Sequence, residues 1–137
     1  MRLAVRAAMA AVLTVCPVTA AGCGDRSAAG HRPDDARAVD GIERAIATLP
    51  HVTRVTADYR GMGVQVSVLV EPHGYRQLDP VVDHVERTVW EAPLTRLLYM
   101  QVVVQDETYA QERRAYVLAH DPTWRRLEQR YGPRGAP

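Results

Sequence analysis

MGVQVSVLV, residues Met62 to Val70, is written in period two. Met62, Val64, Val66, Val68 and Val70 fall on one side, and Gly63, Gln65, Ser67 and Leu69 on the other. A valine row opposite a mostly polar row predicts a strand in a sheet with one face buried under helices and the other largely wet. Upstream, VTRVTADY places Val55, Ala57 and Tyr59 on one face of a second half-buried strand. The turn RGMG joins the two, and its glycines, Gly61 and Gly63, are expected to supply the positive φ of a tight hairpin.

Helices flank this hairpin. Val39, Ile42, Ile46 and Leu49 recur close to the period of 3.6, with Asp34 or Asp35 as the expected cap and Pro50 as the stop. After the loop EPHGYRQ, Asp79-Pro80 reads as an N-cap followed by proline at the first helical position. That helix turns Val82, Val85 and Val89 inward, with Val81 beside them, and ends at Ala92-Pro93. LLYMQVVVQ then reads as a well-covered strand. The fold expected over residues 34–106 is therefore α+β: an α-β-β-α-β domain with a three-stranded mixed sheet, covered on one face by two helices.

Residues 107–131 read as a C-terminal helical extension in two pieces, broken at Asp121-Pro122. In the second piece Trp124, Leu127 and Tyr131 share one face, with Arg125, Arg126 and Arg130 mainly on the other. That helix is expected over or beside the third strand, which is free of charge from Tyr99 to Val104 and would otherwise be an adhesive edge. Residues 132–137, GPRGAP, are expected to fray.

The N-terminus carries an address. Arg2 and Arg6 precede a short apolar region, and Thr19-Ala20-Ala21-Gly22 precede Cys23. This is the layout of a secretory signal over residues 1–22 rather than of a membrane span, which needs about 20 predominantly apolar residues. Ala20-Ala21-Gly22-Cys23 resembles the bacterial lipoprotein box, in which the cysteine is diacylated and becomes the new N-terminus. Cleavage after Ala20 or Ala21 by ordinary signal peptidase, and a retained anchor, are the alternatives. Cysteine usage favours lipidation: Cys16 leaves with the signal, and simple secretion would strand Cys23 as an unpaired thiol in an oxidising compartment. Residues 23–33 then form a polar tether. The expected location is the extracytoplasmic face of the cell membrane.

The chain of 137 residues has 17 basic and 16 acidic side chains, and every basic one is arginine. Losing Arg2 and Arg6 with the leader leaves one net negative charge, so composition offers no footprint for nucleic acid. From Arg113 to the C-terminus six arginines face only Asp121 and Glu128. Arg113, Arg114, Arg125, Arg126 and Arg130 are candidates for contact with a partner or an anionic surface, or else a solvated helix face.

The stretches from Ile42 to Arg60, from Val64 to Val89 and from Met100 to Asp106 resemble the ring-building domain of flagellar and type III secretion inner-ring proteins. The matching features are Leu49 to Val52, Pro72 to Gly74, Leu78-Asp79 and Val104 to Asp106. Sporulation-type lipoproteins and envelope BON domains are similar at this level. The resemblance implies a small adaptor fold that packs against copies of itself or other envelope proteins.

Catalytic chemistry is not legible. Ser27 and Ser67, the serines that follow the leader, lie outside any G-x-S-x-G elbow, no glycine-rich phosphate loop occurs, and no cofactor is implied. His51, His73, Asp106 and Glu107 are expected at one end of the sheet, where two imidazoles and two carboxylates could take a metal such as Zn²⁺; three polar loops meeting there is the plainer reading. His84 reads as a solvated helix residue. The expectation is a non-catalytic binding or assembly module, anchored by lipid, whose partner is an envelope protein or a second copy. The alternative is a metal-binding or enzymatic accessory protein using the His51/His73 end.

Overall fold

The alternation is realised as read from Val64 to Val70, while Met62 belongs to the turn. In the computed structural model, which describes residues 32–134 apart from Tyr109, Val64, Val66, Val68 and Val70 are buried while Gln65 is exposed. The elements run α1 (Pro33–Ala47), β1 (Val52–Arg60), β2 (Gly63–Val70), α2 (Asp79–Glu91), β3 (Tyr99–Asp106), β4 (Gln111–Val117) and α3 (Asp121–Tyr131). The sheet order is β1-β2-β3-β4. β1 and β2 form an antiparallel hairpin, α2 carries the chain across to a parallel β3, and β4 returns antiparallel to β3.

The sheet therefore has four strands rather than three. Residues 107–131 are not a helix in two pieces, because Gln111–Val117 is a strand and only Asp121–Tyr131 is helical. The strand escaped the sequence because its period of two is carried by polar residues: Glu112, Arg114 and Tyr116 share the helix side, where α2 carboxylates take Arg114 and Tyr116 and Arg114 meets Glu112. β4 takes the edge of β3 that α3 was expected to cover. α3 instead packs on α2, with Trp124 against Trp90 at 4.7 Å between ring centroids.

The core lies between sheet and helices. Ile42 and Ile46 of α1, and Val81, Val82, Val85, Val89 and Trp90 of α2, pack on the valine row of β2 and on Met100, Val102 and Val104 of β3. Leu118 and Leu127 close it at the α3 side. Asp35 does not cap α1. It is buried, and its carboxylate accepts the Thr95 backbone N–H at 2.7 Å, tying the helix to the loop before β3. Asp79 is likewise the first helical residue, not the cap, and its carboxylate meets Arg114.

The hairpin turn differs in one detail. Gly61 has φ +57°, but the second positive value, +94°, belongs to Met62. Both central residues are thus positive, as a type I′ turn requires. Gly63 is already in the strand, where an added Cβ would meet Tyr99 Cβ at 3.3 Å. Residues 132–134 do not fray: the Gly132 carbonyl accepts Trp90 Nε1–H at 2.9 Å, and Arg134 donates to the Ala92 and Leu94 carbonyls. The expected leader, Cys23 and the tether up to residue 31 lie outside the described residues, as do residues 135–137. Among the described residues no helix is long and apolar enough to cross a membrane.

Candidate functional site

Three places gather polar chemistry. The first is the end of the sheet where the sequence places His51, His73, Asp106 and Glu107. All four residues are there: the side chains of His51, Asp106 and Glu107 are held by bonds of their own, and His73 is bonded through its backbone N–H. His51 Nδ1 lies 3.0 Å from Glu71 Oε2, and its ring meets Tyr75 edge-on. Asp106 accepts the Thr108 hydroxyl and N–H at 2.6 Å each and the His73 N–H at 3.0 Å. The Thr108 bonds foremost hold its carboxyl below the usual range. Glu107 accepts the Thr53 hydroxyl. His51 and His73 both sit at positive φ, at +62° and +56°, so the two loops are tightly wound. Among the described residues no three His, Cys, Asp or Glu side chains converge on a point that could hold a metal ion.

The second place was invisible in the sequence. Glu86 of α2 is fully buried and accepts the hydroxyls of Tyr116 and Tyr131, each at 2.8 Å. Arg114 reaches it from β4 at 3.4 Å and Arg130 from α3 at 3.8 Å. Arg114 also binds Asp79 and Asp83, and Arg130 binds Asp83 at 2.6 Å. Two of the five tail arginines are thus spent on joining β4 and α3 to α2. Burial works to raise the Asp83 pKa, but the Arg114 hydrogen bond and both guanidinium charges prevail and lower it. Arg114 is held even more firmly protonated, because its carboxylate partners outweigh its desolvation. Every member has its partner, which is how a buried charge is tolerated.

The same cluster predicts an alkaline weakness. Burial, and then the bond to Glu86, push the Tyr116 phenol up to about 12 from its ordinary 10.0, and Tyr131 moves the same way for the same reasons. A raised folded pKa stabilises fully below the unfolded value, and that contribution is lost as pH rises through the folded one. The melting temperature is expected to decline between pH 10 and 12, in step with phenolate absorbance. A flat melting temperature across that window would show that these phenols do not hold the tail.

The third place is a surface. Among the described residues, all three helices sit on one side of the sheet and no element covers the other. Across it Asp58, Gln65, Gln101 and Ala115 form one row, and Thr56, Ser67, Val103 and Arg113 the next. Arg113 and the Tyr99 hydroxyl both donate to the Gln101 side-chain oxygen Oε1, and Gln101 is buried. At one corner Leu98, Tyr99 and Val117 are 42%, 37% and 48% exposed, and Tyr99 and Val117 are register neighbours. Of the remaining tail arginines, Arg125 pairs with Asp121 and Arg126 is exposed. A groove of about 850 Å³ between α1 and the end of α2 has an apolar floor that includes Ala38 and Ile42. Arg37 and Asp34, which also line it, bind each other at 3.4 Å. No family model, curated protein or solved structure matches the chain.

Proposed function

We propose that this chain is a non-catalytic assembly module of the cell envelope, held at the extracytoplasmic face by lipid on Cys23, that engages its partner through the uncovered face of the sheet. The observation that carries this reading is the open face itself, with Tyr99 and Val117 exposed at its corner on the outermost strands of that end and exposed Leu98 next to them in the chain. Apolar side chains gathered at one place on an otherwise polar face mark an interaction site more than scattered ones do. The strongly bound carboxylates and arginines contribute to it from behind, by fixing β4 in place. The similarity to ring-building and sporulation-lipoprotein domains points the same way, towards packing against other envelope proteins.

The test places a photoreactive residue at Tyr99 on the open face, or at His84 on the exposed side of α2, in the membrane-anchored full chain. Adducts are expected from position 99 and not from 84, and Cys23→Ser is expected to release the chain to the medium and abolish them. Equal labelling from both positions would remove the sheet face from the proposal. Unchanged membrane fractionation of the Cys23→Ser chain would remove the lipid.

A further inference from the structure

The two edges of the sheet are built differently. β1 is guarded: the Ala57 N–H is taken by Glu43 of α1 at 2.8 Å, the pairing is irregular between Val52 and Arg54, and Arg54, Asp58 and Arg60 are exposed along it. Inserted carboxylates, bulges and charges are the devices by which natural edges refuse a further strand. β4 has an unbroken register on β3, and among the described residues no side chain from a helix is bonded to its backbone.

Its phase follows from the bonds at its two ends. Asp106 N–H donates to the Ala110 carbonyl, and Leu118 N–H donates to the Leu98 carbonyl. Antiparallel pairs alternate, so Glu112, Arg114 and Tyr116 spend their backbone groups on β3, while those of Gln111, Arg113, Ala115 and Val117 point out of the sheet. Arg114 is turned to the helix side among its carboxylates, which leaves Arg113 as the one charge on the strand's outer row.

We propose that β4 pairs antiparallel with β4 of a second copy about a two-fold axis at Ala115, joining two four-stranded sheets into one. This rests on the reading of the sheet surface as an interface and adds a second copy at the edge beside that face. Overlap and charge select the register: within Gln111–Val117 an axis at Gln111, Tyr116 or Val117 leaves most of the strand unpaired, and charge removes three others. An axis at Arg113 or Arg114 sets a guanidinium against its own copy, and one at Glu112 does so for a carboxylate. An axis at Ala115 sets alanine against alanine and Arg113 opposite Val117 of the partner copy, so that the arginine stem lies along the exposed apolar corner. The guarded β1 edges stop further growth, so the product is a closed dimer and not a fibre.

The full chain has cysteines only at positions 16 and 23, so a single added cysteine reports the axis. Residues facing each other in a hydrogen-bonded antiparallel pair have Cα atoms about 5.5 Å apart, within disulfide reach. In oxidised membranes Ala115→Cys is expected to give a disulfide-linked dimer, while the parent chain and Thr56→Cys, on β1, are not. In detergent, Ala115→Pro removes an outward N–H that β3 does not use, a substitution edge strands tolerate. It is expected to convert a sedimenting dimer to monomer with helical signal unchanged. A parent chain that sediments as monomer, or crosslinking as strong from Thr56→Cys as from Ala115→Cys, overturns the dimer. Should Ala115→Pro fail to fold, the cysteine pair alone decides. Adducts to other proteins from position 99 would persist if only the dimer failed, and vanish if the surface reading failed with it.

Discussion

Glu86→Leu is expected to cost about 3–5 kcal/mol and to loosen α3 and β4 together, because it leaves the Tyr116 and Tyr131 hydroxyls without their acceptor, at about 1–3 kcal/mol each, and takes one carboxylate from Arg114 and Arg130. The loss falls on Arg114, Arg130, Tyr116 and Tyr131 at once, since all four converge on the one buried carboxylate. For a domain stabilised by roughly 5–15 kcal/mol this is a large fraction of the total. The stacked Trp90 and Trp124 supply the readout, because α3 brings one indole to the other. Urea titration followed by tryptophan fluorescence should show a lower midpoint, with Glu86→Gln between the parent and Glu86→Leu: its one amide oxygen keeps one of the two phenol bonds, and the charge is lost. A loss below about 1 kcal/mol, the worth of a surface ion pair, would mean that Asp79 and Asp83 suffice to hold the arginines.

Val66→Asp is expected to abolish folding, while Gln65→Asp one position earlier costs under about 1 kcal/mol. Val66 is fully buried, between Ala57 and Val102 in the sheet and beneath the helices. A carboxylate there has no cation to pair with, and the penalty for burying it is several kcal/mol even after relaxation. Gln65 faces the open side, opposite Asp58 and Gln101, so the new charge meets water and one like charge; cross-strand pairs of that kind are worth about 0.2–1 kcal/mol. Circular dichroism and thermal melting of the two variants check the pair. If Gln65→Asp were the more damaging, the sheet would be facing the other way. A folded Gln65→Asp chain that lost its crosslinks from position 99 would add support to the open face as an interface.

The two halves of the molecule differ in how legible they were. From Ala38 to Val104 apolar residues carry the period, at 3.6 in α1 and α2 and at two in β1 and β2, and hydrophobic burial acts on each element alone. The α+β class, the hairpin, the crossover helix and the inward valines therefore follow from sequence. The meeting of His51, His73, Asp106 and Glu107 at one end was also readable, since strand direction fixes which loops are neighbours. What they do there was not: Glu71, Tyr75 and Thr108 bind them, and those contacts depend on loop geometry at positive φ.

Beyond Asp106 the pattern is polar, and a polar residue becomes a core residue only when its partner is in place. QERRAYV looks like a solvated helix because nothing local shows that Arg114 will find Asp79, Asp83 and Glu86, some thirty residues away. Glu86 looks like a surface residue of α2 for the same reason. Its one signal, a glutamate one position after Val85 on the buried side of the helix, gains meaning only once two tyrosines and two arginines arrive from β4 and α3. The fourth strand, the anchoring of α3 on α2 and the choice of which edge stays open were thus decided by tertiary structure. The physical reason is that charge pairing is directional and long-range in sequence, whereas the burial of valine needs no particular partner.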